Sequence, residues 1–153
     1  MDKAEAIAAV VAELEIQLER MTAAARDAGS AASDPENKAE NKYDTRGLES
    51  SYLAAGQAEQ AESLATAVSQ FAPANFPEFT TGSAIAPGAL VEVELAGSLE
   101  AFLLAPAGGG LVVEIDGTEL TVLTPDAPLR GQLIGLCEGD SLERPPLKII
   151  GVA

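Results

Sequence analysis

Eight small or apolar residues near the start of the chain (Ala4, Ile7, Val11, Leu14, Leu18, Met21, Ala25 and Ala28) are spaced alternately by three and four. That spacing places them on one stripe of an α-helix, the seam of a coiled coil. Glu13, Glu15, Glu19 and Arg20 lie off the stripe and face water. Gly29-Ser30 is expected to end the helix as a glycine C-cap. A second stripe with the same spacing runs through Tyr43, Gly47, Ser50, Ala54, Gln57, Ala61, Leu64, Val68 and Phe71. Its helix is expected to start near Asp34, with Pro35 in the first turn, and to be stopped by Pro73 and Pro77. A seam needs a partner, and two helices joined by a short polar segment provide one for each other as an antiparallel hairpin. Small residues in the second seam allow close approach towards the joined end. Gly47 costs about 1 kcal/mol in a helix interior, so close packing is the reason for its presence there. Leu64 to Phe71 widen the base, with Ile7 and Val11 opposite.

The joining segment, Ser33-Asp34-Pro35-Glu36-Asn37-Lys38-Ala39-Glu40-Asn41-Lys42-Tyr43-Asp44, is densely charged. Five carboxylates fall between Asp34 and Glu49, interleaved with Lys38, Lys42 and Arg46. In a hairpin these acids stand at the tip, far from any core. Acids in the first turn of a helix also meet its dipole favourably, so a solvated helix start accounts for Asp34, Glu36, Glu40 and Asp44 equally well. Tyr43 suits a seam residue covering the end of the hairpin.

After residue 88 the apolar period changes to two. Leu90-Val91-Glu92-Val93-Glu94-Leu95 alternates apolar and acidic residues, as a half-buried strand does. Leu99 to Ala105 reads as a second strand. Leu111 to Ile115 and Leu120 to Leu123 flank Asp116-Gly117, a hairpin turn pair. Leu129 to Leu136 suggests a short helix, with Leu129, Leu133 and Ile134 as core residues, and Leu147 to Val152 a last strand. Gly108-Gly109-Gly110 reads as a flexible loop. The fold class is therefore α+β: an N-terminal antiparallel coiled-coil hairpin (1–72, tip around 30–46), a Pro- and Thr-rich linker (73–88), and a small antiparallel β-domain with one short helix (89–153).

Charge narrows the function. The net charge is −15, and both halves are acidic: residues 1–70 carry 13 acids against 6 bases, and residues 71–153 carry 11 against 3. Neither half offers a basic field for phosphates, so duplex DNA binding is not expected. An acidic rod fits a basic protein surface or a metal-containing site, and the same charge also serves solubility. Cys137 is the one cysteine and there is no histidine, which removes a disulfide, a Cys-His nucleophile and a zinc site from consideration. Cys137 itself suits a small core position. With neither a signal-like start nor a membrane-length apolar run, the expected location is cytoplasmic.

The order of parts, a helical hairpin with an acidic tip followed by a small β-rich domain, resembles the bacterial Gre transcript-cleavage factors. Glu40-Asn41-Lys42-Tyr43 is similar to that family's Glu-Asn-Ala-Glu-Tyr tip motif, one residue shorter. Leu123-Thr124-Pro125-Asp126-Ala127-Pro128-Leu129-Arg130-Gly131-Gln132-Leu133-Ile134-Gly135, followed by Gly139-Asp140, is similar to the family's Ser-Pro loop, short helix and Gly-Asp turn. The resemblance implies an FKBP-like fold for the β-domain. It also implies docking on the rim of RNA polymerase's secondary channel, with the hairpin tip reaching the active centre. There, tip acids such as Asp34, Glu36, Glu40 and Asp44 would assist the polymerase's own RNA hydrolysis. Asp34 and Glu40 would help hold a Mg²⁺ shared with the polymerase, a hard cation that favours carboxylate oxygen. Tyr43, Arg46, Thr124, Pro125, Asp126 and Arg130 are the partner-binding candidates; the last four are expected to be exposed. The resemblance implies an accessory factor, a monomer and not an enzyme in itself. Where the family's cleaving tip has an Asp three residues before its Glu, this chain has Asn37, and the family includes members that dock and inhibit. The rivals are an FKBP-like prolyl isomerase or chaperone, which a β-domain whose one aromatic after Phe79 is Phe102 fits poorly, and a structural coiled-coil module that dimerises through its seam.

Overall fold

The computed structural model describes residues 1–33, 46–71, 74 and 76–153. Helix α1 covers Lys3–Ser33 and α2 covers Arg46–Phe71. They form the helical hairpin, and six strands with one short helix follow: β1 Leu90–Leu95, β2 Ser98–Leu104, β3 Val112–Ile115, β4 Thr118–Leu123, α3 Pro128–Leu133, β5 Ser141–Glu143 and β6 Pro146–Val152. The chain packs as two compact units, Leu14–Thr66 on one hand and Met1–Glu13 with Ala67–Ala153 on the other.

In the hairpin unit the seams follow the expected stripes. Leu14 and Ala28 are buried, with Leu18, Met21 and Ala25 half-buried between them. Along α2, Gly47, Ser50, Ala54, Gln57, Ala61 and Leu64 take the covered positions. Most of these are small, and larger side chains point outward: Leu48 and Leu53 are 56% exposed and Tyr52 71%. Gln57 puts its Oε1 in the seam, where no partner among the described residues satisfies it. A buried acceptor left unpaired costs about 1–3 kcal/mol. Gly29 does not end α1, which continues to Ser33. It is absent from the residues with positive φ, the conformation a glycine C-cap requires, and the good helix formers Ala31 and Ala32 carry the helix past it. The expected start of the second helix near Asp34 and Pro35 lies outside the described residues.

In the β-unit, α1 presents a different stripe. Ala6 and Val10 are fully buried there, while Ala4 is exposed and Ile7 and Val11 are half-buried. The expected seam is thus displaced by one residue before Leu14, where the helix packs within the other unit. The sheet is mixed, in the order β3-β4-β2-β1-β6-β5. All neighbouring pairs are antiparallel except β2 and β4, which run parallel. Register assigns its faces. Val91, Val93, Phe102, Leu104, Leu123, Leu147 and Ile149 form one core, closed by Leu133 of α3 and by Ile85. Leu90, Leu103, Leu120 and Val122 lie on the opposite face, and all four are completely buried. The first turn of α1 lies over that face. The Met1 ammonium pairs with Glu92 at 2.8 Å, and Met1, Asp2 and Glu5 share a small recess with Glu92, Ile115 and Thr118.

Several loops are held by backbone bonds. Ile85, within the stretch read as linker, accepts from the Gly135 N–H and donates to Leu136 O. Lys3, 8% exposed, donates to Pro77 O and Ala153 O and stands 4.7 Å from the centre of the Phe79 ring. Desolvation pulls its ammonium below the ordinary lysine value, opposed by the charge of Glu78. The triple-glycine loop is pinned by the Gly110 N–H to Val122 O bond, 2.9 Å. Ile134 is not a core residue, being 45% exposed. It directly follows the last residue of the short α3, where the helical face has ended. Cys137 is half-buried, and its N–H donates to Asp140 Oδ2 at 2.8 Å in the Gly139-Asp140 turn.

Candidate functional site: the Thr124–Arg130 turn and its groove

Thr124-Pro125-Asp126-Ala127 leaves β4 as a tight turn closed by the Ala127 N–H to Thr124 O bond, 2.9 Å. Proline pre-sets the backbone for the second position of such a turn. Pro128 then opens α3, where its missing N–H costs nothing. Pro125 and Asp126 are exposed as expected, whereas Thr124 is half-buried, its side chain turned toward Gly109. The Asp126 carboxyl is held below the usual carboxylate range, first by a hydrogen bond from the Thr124 side chain and then by its own backbone N–H. Gly109 is what lets Thr124 sit there: a Cβ on Gly109 would stand 2.3 Å from Thr124 Oγ1.

Arg130 departs from expectation. It is 7% exposed rather than a surface residue. The sequence pattern places it beside exposed residues, but an arginine in the first turn of α3 is long enough to reach back to the strand ends. Its Nη1 donates to Ala105 O at 2.6 Å and to Leu123 O at 2.9 Å. Those carbonyls belong to the residue after β2 and the last residue of β4, so Arg130 fastens α3 and the turn to the ends of two parallel strands. Burial lowers its guanidinium pKa, but an arginine so placed stays charged.

Beside the turn lies an open groove of about 410 Å³. Phe76, Pro87, Leu104, Pro106 and Pro125 form apolar walls, and Arg130 is the one charged residue among its described lining. Phe76 is set by the buried Phe71, with ring centres 5.8 Å apart. Sequence reading did not find Phe76, Pro87 or Pro106, because no periodicity marks an irregular segment. Their only signal is the concentration of proline on either side of β1 and β2.

The other candidates are not gathered here. Asp34, Glu36, Glu40, Tyr43 and Asp44 lie outside the described residues, and Arg46 is the first residue of α2. Among the described residues no group of three or more His, Cys, Asp or Glu side chains is arranged to hold a metal ion. None of their helices is long and apolar enough to cross a membrane.

No protein-family model matches the chain. No curated protein is similar to it in sequence. Among solved structures, the chain is similar to GreA factor homolog 1 (Gfh1) of Thermus thermophilus at 20% identity, with 95% of each chain covered and a TM-score of 0.36. Gfh1 of Thermus aquaticus is similar at 20% identity over 94% of each chain, TM-score 0.36. A further structure of the transcription factor Gfh1 is similar at 23% identity, covering 94% of this chain and 93% of the other, TM-score 0.36.

Proposed function

We propose that this chain is a Gre-like transcription factor that binds RNA polymerase at its secondary channel and modulates transcript cleavage there, or inhibits. The observation that carries the reading is the rigidly held, exposed Pro125-Asp126 turn on a mixed-sheet head, in a chain whose N-terminal half is a helical hairpin. The turn serves as the docking element: Arg130 fixes its base to two strands, and the Thr124 side chain lowers the Asp126 carboxyl pKa. The segment joining the helices carries Asp34, Glu36, Glu40 and Asp44 to the polymerase. Carboxylates are the donors a Mg²⁺ takes, and a second such ion in a polymerase centre supplies charge stabilisation to attacking and leaving oxygens. Phe102 is 5% exposed within the core, so it is not free to line an isomerase pocket, which speaks against the prolyl isomerase alternative.

Retention on immobilised core RNA polymerase tests the reading, followed by cleavage of a stalled, backtracked complex. The chain is expected to be retained, and Asp126→Arg to lose retention. Asp34→Ala and Glu40→Ala are expected to keep it while abolishing the effect on cleavage. Failure of the unmodified chain to be retained overturns the proposal, and unchanged cleavage in both tip variants removes those acids from the mechanism.

A further inference from the structure

Arg130 has more donors than the fold uses. A guanidinium carries five N–H groups, and Nη1 spends its two on Ala105 O and Leu123 O. Nε and Nη2 have no acceptor among the described residues, although the side chain is more than nine-tenths buried. Its remaining surface opens on the groove walled by Phe76, Pro87, Leu104, Pro106 and Pro125. A largely buried cation whose unfilled donors reach solvent through an apolar-walled groove is half of a charge-assisted pair.

We propose that this groove seats an acidic peptide segment of the protein partner, with an aliphatic side chain against the proline and phenylalanine walls and an adjacent Asp or Glu carboxylate on Nε and Nη2 of Arg130. The proposal rests on the docking reading above and adds the chemistry of what docks. A carboxylate matches the planar fork of a guanidinium with two parallel hydrogen bonds. The two backbone carbonyls already fix the arginine's conformation, so little entropy remains to be lost on binding. The chain's charge of −15 puts no acid among the described lining of the groove. Asp126, the nearest in sequence, is not among the lining residues, and its carboxyl is engaged by Thr124. A nucleic acid needs several cations along its phosphates, and the groove offers one.

The test uses the whole ¹⁵N-labelled chain and two short peptides, acetyl-Leu-Glu-Leu-amide and acetyl-Leu-Gln-Leu-amide, with the Arg130 Nε–H signal followed by NMR. The glutamate peptide is expected to shift that signal and to bind about tenfold more tightly than the glutamine one, the scale of a hydrogen bond to a charged group. Phe76→Ala removes a wall without touching the bonds to Ala105 and Leu123, and is expected to weaken the glutamate peptide severalfold. Equal affinity for the two peptides, no shift at Arg130, or an unchanged affinity in Phe76→Ala overturns the assignment. The polymerase is absent from this experiment. Its failure therefore leaves the docking reading standing, while loss of polymerase retention beside intact peptide selectivity sinks that reading alone.

Discussion

The hairpin and the β-unit bury their residues in different ways. The covered stripe of α2 is built from Gly47, Ser50, Ala54, Gln57 and Ala61, none of them large and apolar. The sheet, by contrast, buries Leu90, Leu103, Leu104, Leu120, Val91, Val93, Val122 and Ile149 almost completely, on both of its faces. Buried apolar area sets the scale of stabilisation, at about 25 cal/mol per Å². The β-unit is therefore the more stable of the two, and the hairpin unit rests on smaller covered side chains.

The contrast can be broken by paired truncations. Leu120→Ala is expected to cost about 3 kcal/mol, as core leucines do. Leu64→Ala, at a half-buried seam position, is expected to cost about 1 kcal/mol. Urea titrations of both variants measure this, and equal losses would refute the division. Next in size is Arg130→Met, which strips the Ala105 and Leu123 carbonyls of their donor and is expected to destabilise by about 2 kcal/mol. The same substitution at a freely exposed arginine would cost almost nothing. Gln57→Leu runs the other way. Removing an unsatisfied acceptor from the seam is expected to stabilise the hairpin by about 1 kcal/mol, read from thermal loss of helical circular dichroism.

The smallest effect concerns charge rather than packing. The folded-state pKa of Asp126 lies below its unfolded value, so its contribution is present above the ordinary carboxylate range and is lost as pH falls through the lowered value. Thr124→Val removes the leading cause, and the Asp126 carboxyl is expected to titrate closer to the ordinary value by NMR. An unchanged titration would show that the Thr124 hydroxyl is not what holds it.

Periodicity made much of this legible. The α2 seam matched from Gly47 to Leu64; beyond it Ala67, off the expected stripe, is buried and Val68 only half-buried, while Phe71 is buried as expected. The β3–β4 hairpin was legible from Asp116-Gly117, and β1 from its alternation. Periodicity said nothing where packing partners change: the α1 stripe shifts by one residue before Leu14, because a different unit covers it there. It also missed β5, whose three residues are too few to show a period. The parallel pairing of β2 with β4 was equally hidden, since strand order follows from which edges meet and not from local pattern. At the candidate site the turn residues announced themselves through proline and aspartate. The burial of Arg130 did not, because a long side chain reaches a carbonyl twenty-five positions away in sequence. The tip acids rest on the sequence alone.

Gly109 gives position 109 an influence that its own chemistry does not suggest. Even one methyl group there would push into the Thr124 hydroxyl, the first cause holding the exposed Asp126 carboxyl below its usual range. The bare backbone of one loop thereby makes room for the side chain that sets the acidity of a carboxyl on its neighbour.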